Sequence, residues 1–161
     1  MSKIKKIGVN GNMFAFINDF ISNRTLQVKV GNEMSKTVEL NNDTPQGSVM
    51  SPILFLIVIN DMEQSTSNGV QLSLFAYDSA TYKSGRNLSV LRKDIQKNID
   101  SIYEWCLRNG FKISIDKSCA VIFTKSTKKT KNLTPIKING ELLKYENEVK
   151  FLGVIFDRQL T

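Results

Sequence analysis

Two short segments hold the side chains best suited to chemistry. The first is Pro45-Gln46-Gly47-Ser48, a polar, glycine-bearing turn that feeds directly into an apolar stretch ending at Ile59. Backbone N–H groups at the start of a helix attract anions, and glycine lets a sugar or base come close to the main chain. Gln46 adds two donors and an acceptor beside it. A helix cap would explain the same residues equally well. The second segment is Leu-Ser-Leu-Phe-Ala-Tyr-Asp-Ser-Ala, residues 72 to 80, whose alternation predicts a hairpin with Asp78 at its tip. A carboxylate among apolar strand residues is poorly solvated unless it meets a cation, so Asp78 is a candidate metal ligand.

The chain contains no histidine, which excludes Ser-His-Asp and Cys-His nucleophile activation and zinc sites that need an imidazole. Chemistry here rests on carboxylates, amines or a bound metal. Cys106 and Cys119 are too few for a disulfide framework, which fits an intracellular, reducing compartment. Twenty-two basic against 15 acidic residues give a net charge of +7. The excess sits late, because residues 101 to 161 carry eleven basic and six acidic side chains. Lys125, Lys128, Lys129 and Lys131 fall within one seven-residue stretch without an acid, suited to phosphates through counterion release. A solvated loop accounts for them equally well.

The elements that would hold these groups follow from periodicity. A length of 161 residues with 41% apolar content predicts one compact unit, or one layer of something larger. The longest unbroken apolar run, Ile53 to Ile59, is far short of the roughly 20 residues of a membrane span. The basic opening is interrupted by Asn10-Gly11-Asn12, so no secretion signal is expected. Residues 11 to 22 have helical spacing, residues 26 to 40 read as a β-hairpin, and Ser48 to about Gln64 reads as a helix apolar nearly all round. A long helix capped by Asn87 or Ser89 should run to Asn109-Gly110, its apolar face made by Leu91, Ile95, Ile99, Ile102 and Cys106. Residues 111 to 124 are strand-like, Asn139-Gly140 marks a tight hairpin, and residues 149 to 157 form a last strand segment. This order predicts an α+β fold, an antiparallel sheet with helices packed on one face.

Taken in sequence, FISNRTLQVKVG, TPQGSVMSPILFLIVINDM, LSLFAYDSA, NGFKISIDKSCAVIFTK and VKFLGVIFD resemble the reverse transcriptases of non-LTR retrotransposons, in particular the jockey-like elements of animals. The likeness covers nearly the whole chain. It implies a partial right-hand polymerase palm over residues 1–161 that copies RNA into DNA with two Mg²⁺ ions about 3.5 to 4 Å apart, using an RNA template, a DNA primer and dNTP. Pro45, Gln46, Gly47 and Ser48 match the family's nucleotide loop, and Lys117 matches its lysine after the long palm helix. Phe151, Leu152 and Gly153 match the FLG strand near the primer grip. Phe75 to Asp78 match the FADD hairpin, whose first Asp is a principal metal ligand.

The sequence departs from that pattern where the metals would bind. Tyr77 occupies the first Asp position, and a neutral phenol with a pKa of about 10 does not replace a carboxylate on Mg²⁺. The family's other principal Asp belongs to a strand expected upstream of Met1, and Asp19 has no matching motif around it. Asp43 stands where the family's loop has Gly. The expectation is a palm fragment without polymerase activity, with an apolar edge prone to recruit other strands. Two other readings remain: a non-catalytic, basic nucleic-acid-binding remnant, and an unrelated basic α+β domain with accidental motifs.

Overall fold

The structure is a computed structural model that describes residues 1–40, 44–67, 69–125 and 133–160. Asp43, Lys128, Lys129 and Lys131 lie outside the described residues. The chain divides into two compact units, Met1–Asn60 and Asp61–Thr161.

The first unit contains helices α1 (Ser2–Lys6), α2 (Gly11–Ile21) and α3 (Met50–Ile59) and strands β1 (Arg24–Leu26), β2 (Lys29–Val30), β3 (Glu33–Met34) and β4 (Val38–Leu40). Its core is one buried side chain from each helix, Ile4, Ile17 and Leu54, with Phe14, Phe20, Ile21 and Ile57 packed around them. The spacing of Ile17, Phe20 and Ile21 puts them on one helical face, as expected. Lys3 Nζ donates to the Val58 carbonyl at 2.7 Å, placing a cation at the C-terminal end of α3 where the helix dipole favours it. The expected hairpin is present as two ladders, β1 with β4 and β2 with β3.

Helix α3 is shorter and less buried than its apolar sequence suggested. It stops at Ile59 rather than near Gln64, and a separate 3₁₀ turn follows at Met62–Ser65. Ile53 and Leu56 remain 49% and 58% exposed, so the helix presents apolar residues on more than its core face. Pro52 stands in the first turn, where its missing N–H removes no intrahelical bond.

In the second unit, β5 (Gln71–Phe75) and β6 (Asp78–Tyr82) form an antiparallel hairpin, followed by α4 (Leu88–Arg108). Both ends of α4 are fixed by its sequence. The Asn87 side chain accepts from the N–H groups of Ser89 and Val90 at 3.0 and 3.2 Å. At the other end Gly110, with φ 75°, lets Phe111 N–H reach the Cys106 carbonyl and Gly110 N–H the Leu107 carbonyl. That pair of bonds is a Schellman motif, and Phe111 completes it by stacking on Trp105 with ring centroids 5.5 Å apart.

The apolar face of α4 packs Ile95, Ile99 and Tyr103 against Ile136, Ile138 and Leu143. Polar side chains on the helix hold the main chain of its neighbours. Gln96 Nε2 donates to the Lys137 carbonyl while Gln96 Oε1 accepts from Lys137 N–H, both at 2.9 Å. Arg92 donates to the Thr134 and Pro135 carbonyls. Asn98, fully buried at 0% exposure, accepts from Ser67 N–H at 2.8 Å. Trp105 Nε1 donates to Asp61 Oδ1 at 2.9 Å, which holds the first residue of this unit on the helix.

The remaining strands are β7 (Cys119–Val121), β8 (Lys137–Ile138), β9 (Glu141–Leu142), β10 (Lys144–Glu146), β11 (Glu148–Phe151) and β12 (Val154–Asp157). The fold is a mixed helix and strand arrangement. Among the described residues the strands form six two-stranded ladders, not the single antiparallel sheet expected. One ladder, β7 with β10, is parallel, the intervening chain with its β8–β9 hairpin being long enough for the crossover. Asn139 (φ 51°) and Gly140 (φ 82°) make the expected type I′ turn between β8 and β9.

Two further expectations are corrected. Residues 112 to 115 form no strand: Ser118 N–H closes a turn on the Ile115 carbonyl at 3.0 Å, and Ile113 and Ile115 pack on the α4 cluster without a ladder. Residues 149 to 157 are a hairpin, because Leu152 (φ 50°) and Gly153 (φ 84°) turn the chain between β11 and β12. No helix among the described residues is long and apolar enough to cross a membrane.

The two caps of α4 should act independently on stability. Asn87→Ala and Gly110→Ala should each cost about 1 kcal/mol, and the double variant about 2, since the sites are far apart. A urea titration should read this as a lowered midpoint at unchanged slope.

Candidate functional site

The residues expected to form a site fall on four elements. Pro45 to Ser48 belong to the first unit, and Tyr77, Asp78, Lys117 and Phe151 to Gly153 to the second. Among the described residues, the β5–β6 hairpin shares no ladder with the β11–β12 hairpin or with the segment that carries Lys117.

The Pro45–Ser48 loop is a type II turn. Gly47 stands at its third position with φ 81°, a value that L side chains rarely adopt, and Ser48 N–H closes the turn on the Pro45 carbonyl at 3.5 Å. Nothing approaches within 4 Å of the place a Gly47 Cβ would take, so the glycine serves the backbone angle and an open face. Gln46 is exposed beside it. Ser51 Oγ donates to the same Pro45 carbonyl at 2.6 Å, tying the loop to the first turn of α3. Ser51 was not among the expected site residues, and a serine in a first helical turn carries no sequence signal that separates a loop lock from a solvated hydroxyl.

The anion site considered for this helix start finds no donors in its first three residues. Met50 N–H bonds to Ser48 Oγ at 3.1 Å, Ser51 N–H bonds to the Ser48 carbonyl at 3.3 Å, and Pro52 has none. The loop therefore offers Gln46 and the open Gly47 face, not a phosphate cradle.

At the β5–β6 hairpin the turn is made by Ala76 and Tyr77, with Ala76 at φ 48°. Asp78, expected at the tip, is instead the first residue of β6, paired across the ladder with Phe75. Nor is it enclosed by apolar residues: its side chain is exposed. Tyr77 is the residue at the tip, 83% exposed. Among the described residues no cluster of three or more His, Cys, Asp or Glu side chains could hold a metal ion. The described residues thus do not fit a pair of Mg²⁺ ions: the turn supplies one carboxylate and a phenol where two acids would be needed.

Lys117 is exposed in the turn between Ile115 and Ser118, and Leu152 and Gly153 are exposed at the β11–β12 turn with Phe151 half-buried behind them. Lys125 is exposed at the end of its described segment. The cysteines take no part. Burial pushes the Cys106 thiol above its ordinary pKa, and burial together with the nearby Glu146 charge does the same for Cys119, which leaves both poor nucleophiles at neutral pH.

The Ser51 lock gives a measurable expectation. Ser51→Ala should free the loop by about 1 kcal/mol, and amide exchange at Ser48 should quicken by about fivefold while the α2 core stays protected.

The profile of the family described as Reverse transcriptase (RNA-dependent DNA polymerase) matches residues 1–156. The chain is 24% identical over 155 residues to the RNA-directed DNA polymerase from mobile element jockey of Drosophila melanogaster, covering 92% of this chain and 17% of that protein. It is 30% identical over 155 residues to the protein of the same name in Drosophila funebris, with the same two coverages. To the probable RNA-directed DNA polymerase from transposon BS of Drosophila melanogaster it is 25% identical over 167 residues, covering 100% of this chain and 18% of that protein. The chain spans less than a fifth of the length of these relatives. With a profile match over nearly its whole length, and relatives agreeing with the jockey-like motifs in its sequence, the chain belongs to the reverse transcriptase (RNA-dependent DNA polymerase) family.

Proposed function

We propose that residues 1–161 are a part of a reverse transcriptase domain, from the nucleotide loop through the FLG hairpin, and that this part does not itself catalyse nucleotidyl transfer. The observation that carries the reading is Tyr77 at the turn of the β5–β6 hairpin, with Asp78 exposed beside it. In a two-metal displacement the paired cations stabilise both the attacking and the leaving oxygen, and their positions are set by shared carboxylates. One carboxylate on an open turn holds Mg²⁺ too weakly to fix its place, and a phenol is not among the carboxylate, carbonyl and water oxygens that Mg²⁺ prefers. By their match to the family, Pro45, Gln46, Gly47, Ser48 and Lys117 would meet nucleotide or template, and Phe151, Leu152 and Gly153 the primer region.

Primer extension on an RNA template with dNTP and Mg²⁺ or Mn²⁺ tests this directly. The 161-residue chain should yield no product, and Tyr77→Asp alone should not restore one. Product from the unmodified chain that vanishes on Asp78→Ala would overturn the reading.

The charge distribution favours a second activity, which needs no metal: retention of an RNA–DNA hybrid by the basic C-terminal part. The eleven basic against six acidic side chains of residues 101 to 161, with the lysines at 125, 128, 129 and 131 among them, support this. If all four lysines neutralise phosphates, affinity should fall by about 100-fold between about 50 and 200 mM salt. Each Lys→Gln replacement should lower the slope of log affinity against log salt by about one. A slope unchanged by all four replacements would place the contacts elsewhere.

A further inference from the structure

The junction between α1 and α2 holds a peptide bond placed to rearrange without an enzyme. Among the described residues asparagine precedes glycine three times, at Asn10-Gly11, Asn109-Gly110 and Asn139-Gly140. In such a pair the glycine nitrogen can attack the carbonyl carbon of the asparagine side chain, since the glycine has no Cβ to obstruct the approach. Closing that ring asks two things of the fold. The glycine N–H must be free of a hydrogen bond, and rotation about the asparagine Cα–C bond must bring the glycine nitrogen alongside Cβ.

The three pairs differ on both counts. At Asn109 ψ is 6°, which in an L residue turns the Gly110 nitrogen away from Cβ. Gly110 N–H is bonded to the Leu107 carbonyl at 3.3 Å, and Asn109 Nδ2 donates to the Trp105 carbonyl at 2.8 Å. Asn139 is the first central residue of a type I′ turn, where ψ is about 30° and the next nitrogen again lies away from Cβ. The β8–β9 ladder holds that angle. At Asn10, by contrast, ψ is 176°, which sets the Gly11 nitrogen gauche to Cβ, a partial rotation from closure. Gly11 N–H opens α2 and so has no acceptor within the helix. Both residues are exposed, and nothing lies within 4 Å of the place a Gly11 Cβ would take, so water reaches the bond. The Asn10 side chain does not cap the helix: its Nδ2 donates to the Gly8 carbonyl at 3.1 Å in an exposed bond that water can replace.

We propose that Asn10 is a site of spontaneous deamidation and isomerisation, and that it converts ahead of the other two pairs. The Gly11 nitrogen forms a bond to Asn10 Cγ and gives up its proton, while the Cγ–Nδ2 bond breaks and Nδ2 leaves with that proton as ammonia. One water then opens the cyclic imide. Opening at the side-chain carbonyl yields aspartate, and opening at the main-chain carbonyl yields isoaspartate, in which the backbone runs through the former side chain. No cofactor or oxidant takes part. The two products act in opposite directions on the first unit. Aspartate puts a carboxylate at the start of α2, where the helix dipole favours it and where the first turn has no acid. Isoaspartate adds a methylene to the main chain just before α2 and shifts Ile17 against its core partners Ile4 and Leu54.

The test is peptide mapping by mass spectrometry on the full 161-residue chain, incubated in mildly alkaline buffer both folded and in concentrated urea. Fragmentation by electron transfer distinguishes aspartate from isoaspartate. In the folded chain Asn10 should convert about tenfold or more faster than Asn109 and Asn139, because attack at those two must first break hydrogen bonds of the helix end or the ladder. In urea the three rates should converge, which assigns the difference to the fold. Product at position 10 should include isoaspartate, which direct hydrolysis of the side-chain amide cannot give, and Asn10→Gln should suppress it. Equal rates at the three sites in the folded chain, conversion led by Asn109 or Asn139, or aspartate alone at position 10 would each overturn the proposal.

Discussion

The second unit is organised by hydrogen bonds that side chains of α4 make to the main chain of the segments packed on it. A loop buried against a helix carries N–H and C=O groups that lose water, and each must find a partner at a cost of about 1 to 3 kcal/mol if it does not. Asn98 serves Ser67, Gln96 serves both groups of Lys137, Arg92 serves Pro135, and Trp105 reaches Asp61. These bonds allow short, irregular connections to lie close to the helix where a continuous sheet would otherwise satisfy them. That is why the unit holds together with ladders of only two strands. It also explains why Asn98, a polar residue, is the most completely buried side chain of the described structure. Its place is set by the Ser67 N–H rather than by hydrophobicity.

That dependence marks the limit of what the sequence made legible. Helix α4 could be read from periodicity, its start from Asn87 and its end from Asn109-Gly110, because caps and amphipathic faces are local. Asn139-Gly140 was legible for the same reason, since a type I′ turn asks for two residues that tolerate positive φ. The strand reading of residues 111 to 115 failed because alternation reports which side of an extended chain is buried, not whether a ladder partner exists. Ile113 and Ile115 face the α4 cluster as an alternating pattern requires, and the turn at Asp116-Lys117 then takes the chain away. The parallel pairing of β7 with β10 was hidden for a related reason: it depends on a non-local crossover and has no signature in either strand. Leu152-Gly153 was missed because leucine rarely stands at positive φ, so the pair does not advertise a hairpin as Asn-Gly does.

The candidate site was legible as a set of motifs and not as geometry. The order of the PQGS, FAYD and FLG segments points to the reverse transcriptase family, and the match over residues 1–156 agrees. Their local roles differ from what spacing suggested. The helix start that looked suited to an anion has its donors taken by Ser48, and Asp78 sits one step past the turn in an open position. Both errors come from reading a side chain's surroundings out of its neighbours in sequence. Burial and hydrogen-bond occupancy are set by residues that the local window does not contain.

Tyr77 shows that the form of a hairpin does not depend on the chemistry available at its turn. The β5–β6 turn needs a residue that accepts positive φ, a demand that falls on Ala76 at about 1 to 2 kcal/mol, and a second residue whose side chain points to solvent. Neither demand involves charge. A tyrosine therefore satisfies the fold at a position where metal chemistry would require a carboxylate, and no folding penalty selects against it. The same substitution removes an electrostatic reason for the hairpin to exclude polyanions, because two adjacent carboxylates on one tip would repel phosphate unless cations stood between them.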